Sequence, residues 1–131
     1  MTNIFSDQQE FMTLGQQTVL AHNPKQMELY RNLIKEEVIE FMNATRLNNE
    51  PLVNQVKEAN DILVVISGWL HSVGINPEIA WQAVHENNLL KVTFPATKDE
   101  NGKIQKSKEA IAGKPVMMAR LNELVDKALG A

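Results

Sequence analysis

Five carboxylates are spaced so that helical geometry would gather them. Glu36, Glu37 and Glu40 fall within about one turn of helix, and Glu58 and Asp61 lie three residues apart further along the chain. Residues three and four apart share a helix face. Leu29, Leu33, Glu37, Glu40 and Ala44 therefore form a stripe that begins apolar and turns acidic, while Glu58, Asp61, Val65, Gly68 and Ser72 form one that begins acidic and continues small and apolar. Like charges at this spacing repel, more strongly where water is scarce. Two antiparallel helices would bring the acidic turns face to face, and a cation would resolve the conflict. Only oxygen donors are present in the cluster, which favours hard Mg2+, with Mn2+ as a substitute, over zinc. A di-iron bundle requires Glu-x-x-His pairs, and none of His22, His71 and His85 has Glu three positions before it. The competing reading is a set of solvated acids; the apolar stripes carrying both clusters weigh against it.

The elements that would position these residues are helices. Ser6 with Gln9 resembles a capping box and predicts a first helix over about 7–20, with Phe11, Leu14 and Thr18 on one face. Asn23-Pro24 is a cap followed by a first-turn proline, opening a second helix at about 24–47 that Asn48-Asn49 breaks. Pro51 opens a third over about 51–72, apolar almost all round in its second half and so expected at the centre. Gly74 closes it, and Asn76-Pro77 starts a fourth at about 77–91. Residues 92–114 are rich in turn formers and lysine, predicting a long basic loop, a candidate lid, with a short hairpin at Asn101-Gly102. Pro115 predicts the start of a last helix running to Leu129. The expected architecture is all-α, an antiparallel bundle of four to five helices forming one domain over 1–131.

Composition narrows the classes further. The 131 residues carry a net charge of -3 and no cysteine, which removes thiol nucleophiles, Cys-ligated metals and disulfides and suits a reducing cytoplasm. No basic excess supports binding to a nucleic-acid polymer. The longest apolar run, Ile62 to Ile66, is far short of a membrane span. Charge is also unevenly placed. Residues 36–61 hold six acids against two bases, whereas 91–114 hold six lysines against three acids.

Glu36-Glu37-Val38-Ile39-Glu40 followed by Glu58-Ala59-Asn60-Asp61 resembles the E-E-x-x-E … E-x-x-D signature of the all-α NTP pyrophosphohydrolases, the superfamily of MazG-type enzymes, phosphoribosyl-ATP pyrophosphohydrolase and the dimeric dUTPases. Phe11-Met12, Gly15-Gln16, Leu33-Ile34 and the run Val84 to Lys91 are similar to MazG-like sequence. Asp99 to Lys103 with Lys106 resembles the loop of the phosphoribosyl-ATP pyrophosphohydrolase branch, so that the likeness spans about residues 9–108.

The resemblance implies a Mg2+-dependent enzyme that cleaves a nucleoside triphosphate between its α and β phosphorus atoms, releasing a monophosphate and pyrophosphate. It implies metal ligation by Glu37, Glu40, Glu58 and Asp61. Glu36 would be a further ligand or the group that orients and deprotonates water. Asn88 and Lys91 match an N-x-x-K element that contacts the substrate, and Lys103 and Lys106 are further phosphate candidates. Trp81 shares a stripe with Val84 and Asn88 and is a candidate for the nucleoside, beside a plain packing role. Family members pair their bundles, implying a homodimer or homotetramer. One departure stands out: many relatives carry Arg where this chain has Pro95. Phosphoribosyl-ATP hydrolysis and an inactive helical interaction module are the alternatives.

Overall fold

The computed structural model describes residues 3–48, 50–92 and 96–130 and contains five α-helices: α1 Ile4–Leu14, α2 Pro24–Thr45, α3 Leu52–Val73, α4 Pro77–Leu89 and α5 Lys108–Ala128. Among the described residues there is no strand, only one antiparallel bridge between Lys98 and Ile104. The chain divides into two compact units, Met1–Pro77 and Glu78–Ala131. No single helix among the described residues is long and apolar enough to cross a membrane.

The first unit holds α1, α2 and α3. Asn23 caps α2 by accepting from the Gln26 amide, and Pro24 occupies the first turn, where a missing N–H costs nothing. Gly74 ends α3 in the left-handed region at φ 97°; a Cβ there would meet the His22 backbone nitrogen at 2.6 Å. Helix α1 departs from expectation at both ends. Asn3, not Ser6, is its cap: its side chain accepts from the Phe5 and Ser6 amides, and the Ser6 hydroxyl accepts from the Asn3 amide. It stops at Leu14 because Gly15 and the left-handed Gln16 (φ 61°) turn the chain away. Thr18, expected on the helix face, instead pairs through its backbone with the Gln26 carboxamide. Helix α2 ends in a short 3-10 turn, Arg46–Asn48, in which Leu47 has φ 54°. Asn49, half of the predicted break, lies outside the described residues.

Helices α2 and α3 run antiparallel. Gln26 bonds to Ser72, Tyr30 faces Gly68, and Glu37 and Glu40 meet Glu58, so positions pair in opposite order along the two helices. The core cluster of Met12, Tyr30 and Val65, flanked by Val19, Leu33, Ile34 and Trp69, sits where α1 joins them. Much of the interior is polar. Gln26 Nε2 donates to the Thr18 carbonyl at 2.7 Å and to Ser72 Oγ at 2.9 Å, and Ser72 Oγ donates to the Gly68 carbonyl. Tyr30 accepts from Gln8 and donates to Gln17 Oε1 at 2.5 Å. Buried His71 lies 2.9 Å from the Phe5 carbonyl through Nε2, tying α3 to α1. Partners of this kind let polar side chains stay buried, although His71 Nδ1 has none among the described residues. The second half of α3 is central only on the side of Val65, Ser67, Gly68, His71 and Ser72; Leu63, Val64 and Ile66 remain exposed.

The second unit contains most of α4 and all of α5. The last helix begins seven residues before the expected Pro115, because Ser107 caps it: its hydroxyl accepts from the Ala110 amide and donates to the Leu90 carbonyl. Pro115 lies inside α5 on an exposed face, near exposed Ile111, where water can solvate the carbonyl left without its donor. The loop is correspondingly shorter. Its hairpin is organised by Asp99, whose carboxylate accepts from the Asn101 and Lys103 amides, with Gly102 at φ 83°. Glu86 and Arg120 form an ion pair between α4 and α5. Pro95 lies outside the described residues.

The close approach of α2 to α3 is testable. A Cβ at Gly68 would fall 2.1 Å from Tyr30 Cε1, and that ring is held by Gln8 and Gln17. Gly68→Ala is expected to cost about 1–3 kcal/mol by overpacking and to lower the melting temperature by several degrees. An unchanged thermal melt would contradict this packing.

Candidate metal centre

The α2–α3 register brings three of the predicted residues together. Glu37, Glu40 and Glu58 each offer one carboxylate oxygen, and these atoms all lie within 4.8 Å of one another. Glu37 and Glu58 come from half-buried positions, Glu40 from an exposed one. Asp61 follows Glu58 by three residues on α3 and acts electrostatically on Glu37, but its Oδ2 is bonded to Lys57 Nζ at 2.7 Å. Glu36 is exposed on α2 and is not one of the three converging acids.

Two atoms test whether a cation suits this place. Glu37 Oε2 and Glu58 Oε2 are both shielded from solvent, and neither has a hydrogen-bond partner among the described residues. A buried carboxylate oxygen without a donor is costly, and a hard cation is the partner that relieves several at once. The donor set, all carboxylate, therefore fits a divalent ion of the magnesium type.

Electrostatics point the same way. Desolvation, first, and the neighbouring Glu40, through its charge and a hydrogen bond, raise the Glu37 pKa above the usual glutamate value of 4.5; Asp61 and Glu58 add to this. Glu58 is raised mainly by desolvation; Lys57 opposes the shift, and Glu40 and Asp61 reinforce it. The Lys57 pKa is raised in turn, chiefly by its hydrogen bond to Asp61. Lys57 carried no role in the sequence argument, although its spacing of four residues from Asp61 is the signal that would have found it.

The remaining predicted residues lie on the second unit. Trp81 is 60% exposed on α4 and is parallel to His85, with ring centroids 6.4 Å apart and planes at 3°. Asn88 is exposed near the end of α4, and Lys91 is half-buried in the turn beyond it, its amide donating to the Asn88 carbonyl. Lys103 and Lys106 are exposed on either side of the bridge residue Ile104. The Lys103 amide, rather than a feature of its side chain, ties it to the Asp99 turn.

The raised pKa values have a consequence for stability. A carboxyl whose pKa is raised by folding binds its proton more tightly in the native state. Stability relative to a variant lacking it then falls as pH rises through the raised value. In chelator, the melting-temperature advantage of Glu37→Gln over wild type is expected to grow as pH climbs from 4.5 to neutrality. A difference that stays constant across that window would contradict the raised pKa.

A family model for phosphoribosyl-ATP pyrophosphohydrolase matches residues 8–88. That stretch covers most of α1, all of α2 and α3 and nearly all of α4, including both acidic motifs, and ends before Lys91. It is shorter at its C-terminal end than the likeness drawn from the motifs. No curated protein matches the chain. With more than half of its residues matched, the chain belongs to the phosphoribosyl-ATP pyrophosphohydrolase family, pyrophosphohydrolases of the all-α MazG-like superfamily.

Proposed function

We propose that this protein is a divalent-metal-dependent nucleotide pyrophosphohydrolase. It hydrolyses the α–β phosphoanhydride of a (d)NTP, so that water adds across that bridge and a nucleoside monophosphate and pyrophosphate leave. The observation that carries the reading is the convergence of Glu37, Glu40 and Glu58 with two shielded, unpartnered oxygens. These three residues hold the ion, with Asp61 as a fourth ligand. Mg2+, or Mn2+ in its place, supplies positive charge against the phosphate oxygens and acidifies water.

The chain's own groups do the rest. Glu36, exposed and outside the converging set, accepts a proton from the attacking water in this reading, with further ligation of the ion as its alternative role. Lys91 and Asn88 bind the polyphosphate through charge-assisted and neutral hydrogen bonds, with Lys103 and Lys106 adding positive charge. Trp81 stacks on the base, a role its exposure supports. A second reading keeps the chemistry and changes the substrate to phosphoribosyl-ATP, with which the name of the matched family is compatible.

We also assign the protein a homodimeric or homotetrameric state within the cytoplasm. Val38, Ile39 and Met42 on α2 and Val53, Val56, Leu63 and Val64 on α3 are exposed apolar side chains, more than a lone subunit would ordinarily leave in water. Sedimentation at micromolar concentration should show a dimer or tetramer; a monomer would remove this part of the proposal.

A substrate panel tests the activity. Pyrophosphate release from at least one (d)NTP or from phosphoribosyl-ATP is expected, dependent on Mg2+ or Mn2+. Glu40→Gln and Asp61→Asn should each reduce it at least about a hundredfold while leaving the helical fold intact. Silence across the whole panel would favour an inactive interaction module. Mg2+ should also raise the melting temperature of wild type. An equal rise after replacing Glu37, Glu40, Glu58 and Asp61 together would place the ion elsewhere.

A further inference from the structure

The acidic cluster is divided into two parts that are neutralised differently. Glu37, Glu40 and Glu58 converge, and two of their shielded oxygens have no partner among the described residues. Asp61, on the same face of α3, is instead engaged by Lys57, with Nζ 2.7 Å from Asp61 Oδ2 and 3.8 Å from Glu58 Oε1. The lysine side chain is 67% exposed, so its stem packs little and its ammonium is the part that matters. Helix spacing brings the two together but accounts for only part of the contact, because a base N-terminal to its acid is the weaker orientation. What the ammonium does have beside it is a concentration of negative charge.

We infer that Lys57 is a tethered ammonium that competes with the divalent ion for Asp61 and so sets the metal affinity of the centre. This rests on the metal-site reading above. An ammonium is a compact charge with three donors and no acceptor. While it holds Oδ2, part of the Asp61 charge is committed to a monovalent partner; an ion on Asp61 must share that carboxylate with the ammonium, and the two cations repel. The pair is exposed, and exposed ion pairs are weak. The ion can therefore displace it, at a modest loss of affinity. Such a device lets three carboxylates recruit the ion and gives it the full charge of the fourth as the lysine swings out towards solvent.

The experiment is Mn2+ titration of the chelator-treated, full-length protein without nucleotide, followed by calorimetry or by Mn2+ electron paramagnetic resonance. Lys57→Met is expected to tighten Mn2+ binding about two- to fivefold, the range an exposed ion pair would give. Lys57→Arg keeps the charge and the reach, and should bind Mn2+ no more tightly than wild type. In the Asp61→Asn background, the gain from Lys57→Met should fall to less than half. That non-additivity separates competition at Asp61 from a general effect of removing a positive charge. An unchanged dissociation constant in Lys57→Met, a gain in Lys57→Arg, or a fully additive double variant would each overturn the inference while leaving the metal site standing. Wild type that takes up no Mn2+ would overturn the metal site itself.

Discussion

The register between α2 and α3 is the constraint on which the candidate centre depends. Carboxylates do not seek one another; left alone, Glu37, Glu40 and Glu58 would spread into solvent. They are held together because their helices are locked further along. Tyr30 lies against Gly68, where no side chain intervenes, and Gln26 reaches Ser72 and the Thr18 backbone. Since α2 and α3 are rigid rods, fixing two levels of contact fixes the third, and the third is acidic. The favourable packing and hydrogen bonding at one end thus hold the repulsion in place at the other.

This arrangement explains how much the sequence could reveal. Helix ends governed by a single local interaction were readable: Asn23-Pro24, the left-handed Gly74 and the Asn76-Pro77 start all mark observed boundaries. Ends with two competing signals were misplaced. Asn3 and Ser6 both qualify as caps for α1, and the reciprocal bonds between them show that Asn3 is the cap and Ser6 its partner within the helix. Ser107 and Pro115 compete in the same way for the start of α5. A proline permitted in a first turn is also tolerated on an exposed face, so its presence alone could not decide.

The candidate centre divides along similar lines. Its acids were legible because helical periodicity and the motif spacing agree, and both lie within the stretch the family model matches. The different surroundings of the four were not. Periodicity puts Glu58 and Asp61 on one stripe as equivalents, yet Glu58 keeps a shielded, unpartnered oxygen with Lys57 no nearer than 3.8 Å to its other one, while Asp61 holds that lysine at 2.7 Å. That difference arises from the neighbouring helix and from rotamers, which a one-dimensional pattern does not record. The polar interior was also invisible: Gln8 and Gln26 read as surface residues by type, and their burial follows only once Tyr30, Ser72 and the Thr18 backbone are known to meet them.

That polar interior has a thermal meaning. Unfolding a hydrocarbon core raises the heat capacity, whereas exposing amides and hydroxyls lowers it. A first unit that buries Gln8, Gln26, Ser67, His71 and Ser72 beside only a small apolar cluster exposes a mixture whose contributions partly cancel. Each amide and hydroxyl buried in place of hydrocarbon lowers the curvature with which stability depends on temperature, so the interior that sets the α2–α3 register also bears on how the register responds to heat and cold.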